Sequence, residues 1–467
     1  MTSVASGSPI DRARSDRYRG GVATAGGPPS APLVGHVRAF RADRLGFLTR
    51  LAREHGDVAV FRIGPYRVWQ LAHPTHVHEV LVGCARRFRK GPVLQRARLV
   101  LGDGLLTAEG RAHRHHRRVV QQAFSSRRMD RYGEVMIAQI ASTADAWTPG
   151  EPIDLHAEAV GTTMTVAGST LLGVEVDAAV HAVEGAIADL LSAYKLAFVP
   201  FGWRLQHLPV GPMRRLQRGR ATLHALVEKM IIERRAAGRE TDDLLSALVF
   251  DDDREALSDA QMRDEALTLL LAGHETTANA LTFAFHLLAG DPAVEEQVHA
   301  EVDGMLAGRL PNRGDLERLP TCRGLWAEAL RLYPPSWAMG RETVEDHPVR
   351  DTVIPAGDLV LLPQWVVHRD PRWWRQPLRC DPGRWREGMS RQGPRTAFFP
   401  FGGGIRRCIG EGFAETEGVL AIAAIASRWR LVPVPERPLR LDPLLTLRPR
   451  DGLWMRPLPR GVGTLHP

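Results

Sequence analysis

Cysteine is scarce in this chain: four residues in 467, at positions 84, 322, 380 and 408, with no Cys-x-x-Cys pair among them. A zinc or iron–sulfur centre built from clustered thiolates is thereby excluded, and so low a count fits a reducing compartment. No run of 18 apolar residues and no signal-type apolar segment is present, so neither a membrane anchor nor secretion is expected; the expected location is the cytoplasm. There is no His-Glu-x-x-His, no strand followed by Gly-x-Gly-x-x-Gly with an acid downstream, and no Gly-x₄-Gly-Lys-[Ser/Thr]. Nicotinamide, flavin and ATP domains are therefore missing, and any redox chemistry here must draw its electrons from a separate protein.

Charge is unbalanced towards the positive, 61 basic against 53 acidic side chains for a formal net +8. Arginines cluster in RAHRHHRR (111–118) and in the pairs 127–128, 214–215, 234–235 and 406–407. No zinc-finger spacing, aromatic-interleaved basic stripe or helix-turn-helix pattern accompanies them, which argues against nucleic acid. An acidic protein partner steered to a basic face suits the balance better. Hydrophobic residues reach 44%, enough for an extensive core.

The most informative segment is Phe401-Gly402-Gly403-Gly404-Ile405-Arg406-Arg407-Cys408-Ile409-Gly410. Its glycines (402, 403, 404 and 410) let a loop curl tightly round a sulfur and approach a flat cofactor closely. Arg406 and Arg407 are expected to lower the Cys408 pKa, aided by the N-terminus of the apolar helix that follows. A buried structural cysteine beside a flexible turn is the alternative, but it leaves the glycines, arginines and Phe398-Phe399-Pro400-Phe401 unexplained. A metal with four positions already filled by a macrocycle needs one protein ligand, so a solitary housed cysteine points to haem.

This loop resembles the haem-binding segment of the cytochrome P450 family, Phe-x-x-Gly-x-Arg-x-Cys-x-Gly, and Phe401, Gly404, Arg406, Cys408 and Gly410 fill every fixed place. The resemblance implies that Cys408 is the axial thiolate of haem b, that Arg406 contacts a propionate, and that Phe401 and Gly402 pack by the macrocycle. It also implies the architecture: a mainly α, triangular single domain with a minor β region, the haem lying between a long central helix and the cysteine loop. On this reading residues 32–467 form the haem-binding domain and 1–31 a disordered or loosely attached lead-in.

Residues 262–290 are apolar on nearly every face, so this helix should cross the middle of the protein. Gly273-His274-Glu275-Thr276-Thr277 interrupts it; a mid-helix glycine costs on the order of 1 kcal/mol and a core carboxylate needs a partner. The helix is expected to open there, with polar atoms facing a cavity. Alternatively, Glu275 is capped by an arginine and Thr276 bonds a carbonyl one turn back. The segment resembles the family's [Ala/Gly]-Gly-x-[Asp/Glu]-Thr-[Thr/Ser], which makes Thr276 the hydroxyl that steadies dioxygen and Glu275 the acid that delivers protons. His274 reads as a packing or surface residue.

Glu328 and Arg331 stand at i and i+3 on one helical face just before Tyr333-Pro334-Pro335. They resemble the family's Glu-x-x-Arg pair, completed by Arg384 of Pro382-Gly383-Arg384-Trp385 in a buried structural network. His113 and Arg117, one helical turn apart, match the family's Trp-x-x-x-Arg with histidine for tryptophan, and with Arg341 they are the implied propionate anchors. The competing reading is that these clustered cations, with His115 and His116 among them, are simply a solvated face.

Helices are expected over 75–83, 111–122, 128–146, 157–172, 178–195, 213–236, 242–249, 259–289, 292–306, 321–332 and from Cys408 to about 428. Strands are expected in a hairpin turning at Gly64-Pro65, around 343–362, and near 429–458. The family implies a monomeric monooxygenase fed by a ferredoxin or flavodoxin with its reductase. Leu94, Leu99, Val100, Leu190, Leu191, Leu196, Phe198, Val199, Phe201, Leu269, Ala272, Trp337 and Met339 would line a greasy pocket. Tyr333-Pro334-Pro335-Ser336-Trp337 looks most like bacterial enzymes that oxidise terpenoids in specialised metabolism. Two other readings keep the haem: phenol coupling or desaturation in the same fold, or a sensor or carrier without turnover.

Overall fold

The computed structural model describes residues 26–173, 185, 211–238, 241, 243–250, 256–386 and 394–460. The expected helix over 178–195 (residue 185 apart), the pocket residues from Leu190 to Phe201 and most of the N-terminal lead-in lie outside these. A turn at Gly64-Pro65 joins β1 (Val58–Ile63) to β2 (Tyr66–Leu71) in antiparallel register. The remaining strands are β3 (Phe88–Lys90), β4 (Ile153–Asp154), β5 (Met339–Thr343), β6 (His347–Val349), β7 (Thr352–Ile354), β8 (Leu359–Leu362), β9 (Trp429–Pro433), β10 (Leu441–Pro443), β11 (Leu447–Pro449) and β12 (Trp454–Pro459). They form a five-stranded sheet in the order β1-β2-β8-β5-β3, a three-stranded sheet β4-β12-β9, and two small ribbons, β6-β7 and β10-β11. Only the β2–β8 pairing in the large sheet is parallel.

Helices fill the rest. Those that place the site are α1 (Pro74–His78), α2 (Gly110–Gln121), α3 (Ser126–Asp145), α4 (Leu155–Ala167), α5 (Asp259–Gly290), α6 (Pro292–Leu306), α7 (Pro320–Leu332) and α8 (Glu411–Arg428). Helix α5 has 32 residues, a length of roughly 48 Å. Ser258 starts it with a reciprocal cap: its hydroxyl accepts from Gln261 N while Gln261 Oε1 accepts from Ser258 N. Asp291 ends α5 and caps α6, whose first residue is Pro292. Helices α4, α7 and α8 pack on α5 and share its apolar core. Contact between α7 and α8 is tight enough that a Cβ at Gly418 would sit 2.4 Å from the Trp326 ring.

Three expectations change. Helix α5 runs unbroken through Gly273; instead of opening, it has the His274 carbonyl taken by Thr163 Oγ1 of α4 at 3.0 Å. The helix expected over 157–172 ends at Ala167 and widens into a π turn, Gly168–Leu172. The one over 75–83 likewise ends at His78 before a π turn, Glu79–Gly83. Apolar periodicity continues through both turns, so the pattern does not register the change in hydrogen bonding.

Candidate active site: the cysteine loop and the long helix

The cysteine loop is shaped by Gly402 and Gly404, at φ +71° and +63°. At Gly404 a Cβ would lie 2.0 Å from the Leu81 carbonyl oxygen, so only glycine fits. Gly403 and Gly410 have ordinary backbone angles, and the conformational freedom expected of them is not used. Cys408 N donates to Phe401 O at 2.9 Å, closing the loop, and Phe401 packs half-buried on the main core. The Cys408 side chain is accessible within its cleft yet deep among protein atoms.

Its electrostatics differ from the expectation. Arg406 donates to Ala85 O, Phe88 O and Glu109 Oε2, the last at 2.6 Å, while Arg407 pairs with Glu411. Both cations are offset by carboxylates. Burial pushes the Cys408 thiol up, against a smaller opposing pull from the Gly410 amide. Arg117 and Arg407 pull the same way as the Gly410 amide but do not outweigh burial; a metal at the sulfur would favour the thiolate.

Beside the loop, positive charge is buried in excess. Lys90 on β3 and Arg341 on β5 face each other directly in register, an arrangement of like charges that is normally destabilising. Burial lowers the Arg341 pKa to about 10, with repulsion from Arg406 second. Arg341 donates to Gly340 O and pairs with no carboxylate among the described residues. Lys90 is lowered to about 8, chiefly by burial, its ammonium donating to Leu105 O and Ala108 O. His113 is 5% exposed and held to about 4 by burial and by Lys90, Arg406 and Arg117. Arg117 itself reaches the Arg407 carbonyl at 2.7 Å. Glu109, which sequence reading did not single out, is the carboxylate within this group, held by Arg406 and by the Lys90 amide. A crater with this surplus of buried cations fits a ligand carrying two carboxylates, as haem does. His116 is not part of a solvated face: it is buried and bonds Glu265 of α5 at 2.6 Å.

On α5, Thr276 Oγ1 donates to Ala272 O, one turn back, at 2.7 Å. Glu275 is held by no arginine among the described residues; Thr446 donates to its Oε1 at 2.7 Å. Thr446 sits in the turn between β10 and β11, so the C-terminal ribbon reaches back to the long helix. The chain of contacts continues from Thr446 through Asn279 Nδ2 at 3.4 Å to His156 of α4, whose Nε2 lies 2.9 Å from Asn279 Oδ1. His274 is buried and its Nδ1 lies 2.8 Å from Leu270 O, a packing arrangement. Among the described residues a Cβ at Gly273 would meet nothing nearer than Leu171 Cδ1, at 4.0 Å.

Glu328 and Arg331 are fully buried and joined by two 2.7 Å bonds. Arg331 also donates to the carbonyls of His368, Pro377 and Arg379. Arg384 Nε lies 3.4 Å from Glu328 Oε1. Trp385 and the Asp381 amide complete the set by donating to Glu328 at 3.0 and 2.8 Å. Of the expected pocket residues, Leu269 is buried and Met339 half-buried, whereas Trp337 packs on Phe40 and donates to Leu444 O. The side chains of Leu99 and Val100 lie outside the described residues.

A mainly helical fold crossed by one long helix, with a glycine-bound cysteine loop and a small lateral sheet, defines the class of haem-binding oxygenases with a triangular outline. The cytochrome P450 family pattern matches residues 25–455, and the chain belongs to that family: it is a cytochrome P450 monooxygenase. It is 39% identical over 442 residues to cyclooctatin synthase of Streptomyces melanosporofaciens, covering 93% of this chain and 95% of that protein. To cyclooctat-9-en-7-ol 5-monooxygenase of the same organism it is 38% identical, over 87% of this chain and 89% of the other. Among solved structures it superposes on the haem domain of cytochrome P450DA with a TM-score of 0.85 at 27% identity, covering 94% of this chain and 98% of that one. Among the described residues no helix is long and apolar enough to cross a membrane.

Proposed function

We propose that Cys408 holds haem b through its thiolate and that the enzyme oxygenates a terpenoid of specialised metabolism. Arg341, His113, Arg117 and Arg406 are the residues that would hold the propionates, with Glu109 orienting Arg406 and Lys90 adding charge. Haem held in this way supplies reductive activation of dioxygen. The chain's own contribution is proton management and exclusion of water. Thr276 presents a hydroxyl beside Ala272 O, and Glu275 keeps a carboxylate within one residue of it, tethered by Thr446. That acid–alcohol pair on one turn of the long helix carries the assignment, because oxygenation needs protons delivered inward in a dry site.

The substrate class rests on the relatives, whose names describe an olefinic ring alcohol and a product of the same series, and on the absence of any described side chain closer than 4.0 Å to a Cβ at Gly273. Electrons would come from a ferredoxin or flavodoxin and its reductase. The docking candidate is an open groove of about 610 Å³ lined by His113, Arg114, Arg117, Arg118, Gln121, Gln122 and Ile405. Two measurements test the reading. Reduced enzyme with carbon monoxide should show the red-shifted thiolate band, and Cys408→Ser should lose it; retention would overturn the ligand assignment. Cyclic terpenes should shift the haem spectrum and, with a ferredoxin system under ¹⁸O₂, yield products carrying one labelled oxygen. A fatty acid or phenol series that shifts the spectrum where cyclic terpenes do not would overturn the substrate class.

A further inference from the structure

A second set of ligand-type side chains converges outside the haem machinery. Glu79, Cys84 and His347 bring a carboxylate oxygen, a sulfur and an imidazole nitrogen within 4.8 Å of one another. We propose that these three residues bind a single divalent ion of borderline softness, for which Zn²⁺ has the matching preferences.

The backbone explains the convergence. Glu79 opens the π turn and Cys84 caps it, with Cys84 N donating to Glu79 O at 2.7 Å. A turn with i→i+5 bonding brings residue 84 back beside residue 79, which an α-helix would not do; single π turns of this kind are frequent at functional sites. His347 arrives from β6, distant in sequence, and is 1% exposed. Its Nε2 stands 3.5 Å from Glu79 Oε1, too far for a good hydrogen bond. Among the described residues its buried Nδ1 has no hydrogen-bond partner. Its ring packs edge-on against Phe88, and a buried imidazole without a good hydrogen bond is a group waiting for a partner.

The donor set is chemically selective. One nitrogen, one sulfur and one oxygen suit a tetrahedral Zn²⁺, and such ligands lie roughly 3.4–3.6 Å apart when bound. Glu79 and Cys84 are half-buried, so their side chains can close the remaining distance and leave the fourth position to water. Arg87, a cation close to this cluster, is paired with Glu345 at 2.7 Å. As the Zn–S bond forms, the Cys84 thiol releases its proton to solvent and no redox change occurs. This cluster cannot be a second haem site, because three converging side chains leave no room for a macrocycle's four equatorial nitrogens. The π turn touches the cysteine loop: a Cβ at Gly403 or Gly404 would meet Leu81 and Val82. A bound ion would therefore fasten that support to β6.

The test uses haem-loaded, chelator-washed full-length protein titrated with Zn²⁺ by calorimetry, in parallel with mass-spectrometric rates of Cys84 alkylation by iodoacetamide. One equivalent should bind, and Cys84 alkylation should slow by about tenfold or more. Cys84→Ser and Glu79→Gln, each altering a ligand atom, should weaken binding at least as much as loss of an outer-shell partner does, about 10–100-fold, whereas His115→Gln should leave it unchanged. Both half-buried positions accept substitution more readily than His347, so a misfolded His347 variant would not obscure the answer. An alkylation rate indifferent to Zn²⁺, or Cys84→Ser binding as tightly as the parent, overturns the site. Neither outcome touches the haem reading, which depends on Cys408.

Discussion

Thr446 decides where the acid of the long helix sits. A hydrogen bond to a charged group contributes about 1.5–3 kcal/mol, so Thr446→Val, which preserves shape, should release Glu275 from its 2.7 Å tether. The expected result is unchanged haem content and substrate-induced spectral shift, with less product and more peroxide per electron consumed. Thr276→Ala should show the same uncoupling, and Glu275→Gln should slow oxygenation. If Thr446→Val couples as well as the parent enzyme, the tether has no part in proton delivery. Glu275 and Thr276 could be picked out in the sequence because they are neighbours in a motif. Thr446, Asn279 and His156 could not, since nothing in a single sequence pairs residues 171 and 123 positions apart. Glu109 escaped notice for a related reason: its partner Arg406 lies 297 residues away.

Whole elements were easier to read than their ends. Helix α5 and α6 were legible to within a residue because a reciprocal cap and an Asp-Pro boundary are local signals. The two π turns were not, because they keep the apolar periodicity while changing which carbonyl is used. Helix α7 carries the firmest prediction at this scale. Glu328 and Arg331 are both 0% exposed, and breaking a buried pair costs about 3–5 kcal/mol. Glu328→Gln should therefore yield protein with little bound haem and a lower denaturant midpoint, rather than a folded enzyme of reduced rate. Helix α2 has a pH signature. His113 is held at about 4, below the 6.5 of the free imidazole, mainly by burial. A base depressed in the folded state favours unfolding as protons are added, so its penalty is absent above about pH 6.5 and grows as pH falls towards 4. Haem-stripped protein should lose denaturant stability between pH 7 and pH 5, and His113→Gln should lose less. His299, held at about 4 as well, leaves a residual dependence in the variant. Equal loss in both proteins would refute the burial account.

Across the whole molecule the net charge of +8 is not spread evenly. The groove lined by Arg114, Arg117 and Arg118 carries a share of it, with exposed Ile405 at its edge, while Arg407 is offset by Glu411. Reduction by an acidic ferredoxin should accordingly slow as salt rises, since the Debye length shrinks to about 10 Å at 0.1 M. Stopped-flow rates at several ionic strengths should fall, and Arg114→Glu should flatten the dependence. A rate indifferent to both would place docking elsewhere. The ribbon that supplies Thr446 has one more consequence, and it concerns synthesis. The polypeptide leaves the ribosome with its N-terminus first, so Glu275 emerges long before the residue that restrains it. Until residues 441–449 are made, the Glu275 carboxylate has no Thr446 hydroxyl to accept from. If Glu275 and Thr276 manage protons as proposed, the residue that fixes the acid's position is thus among the last parts of the site to be made.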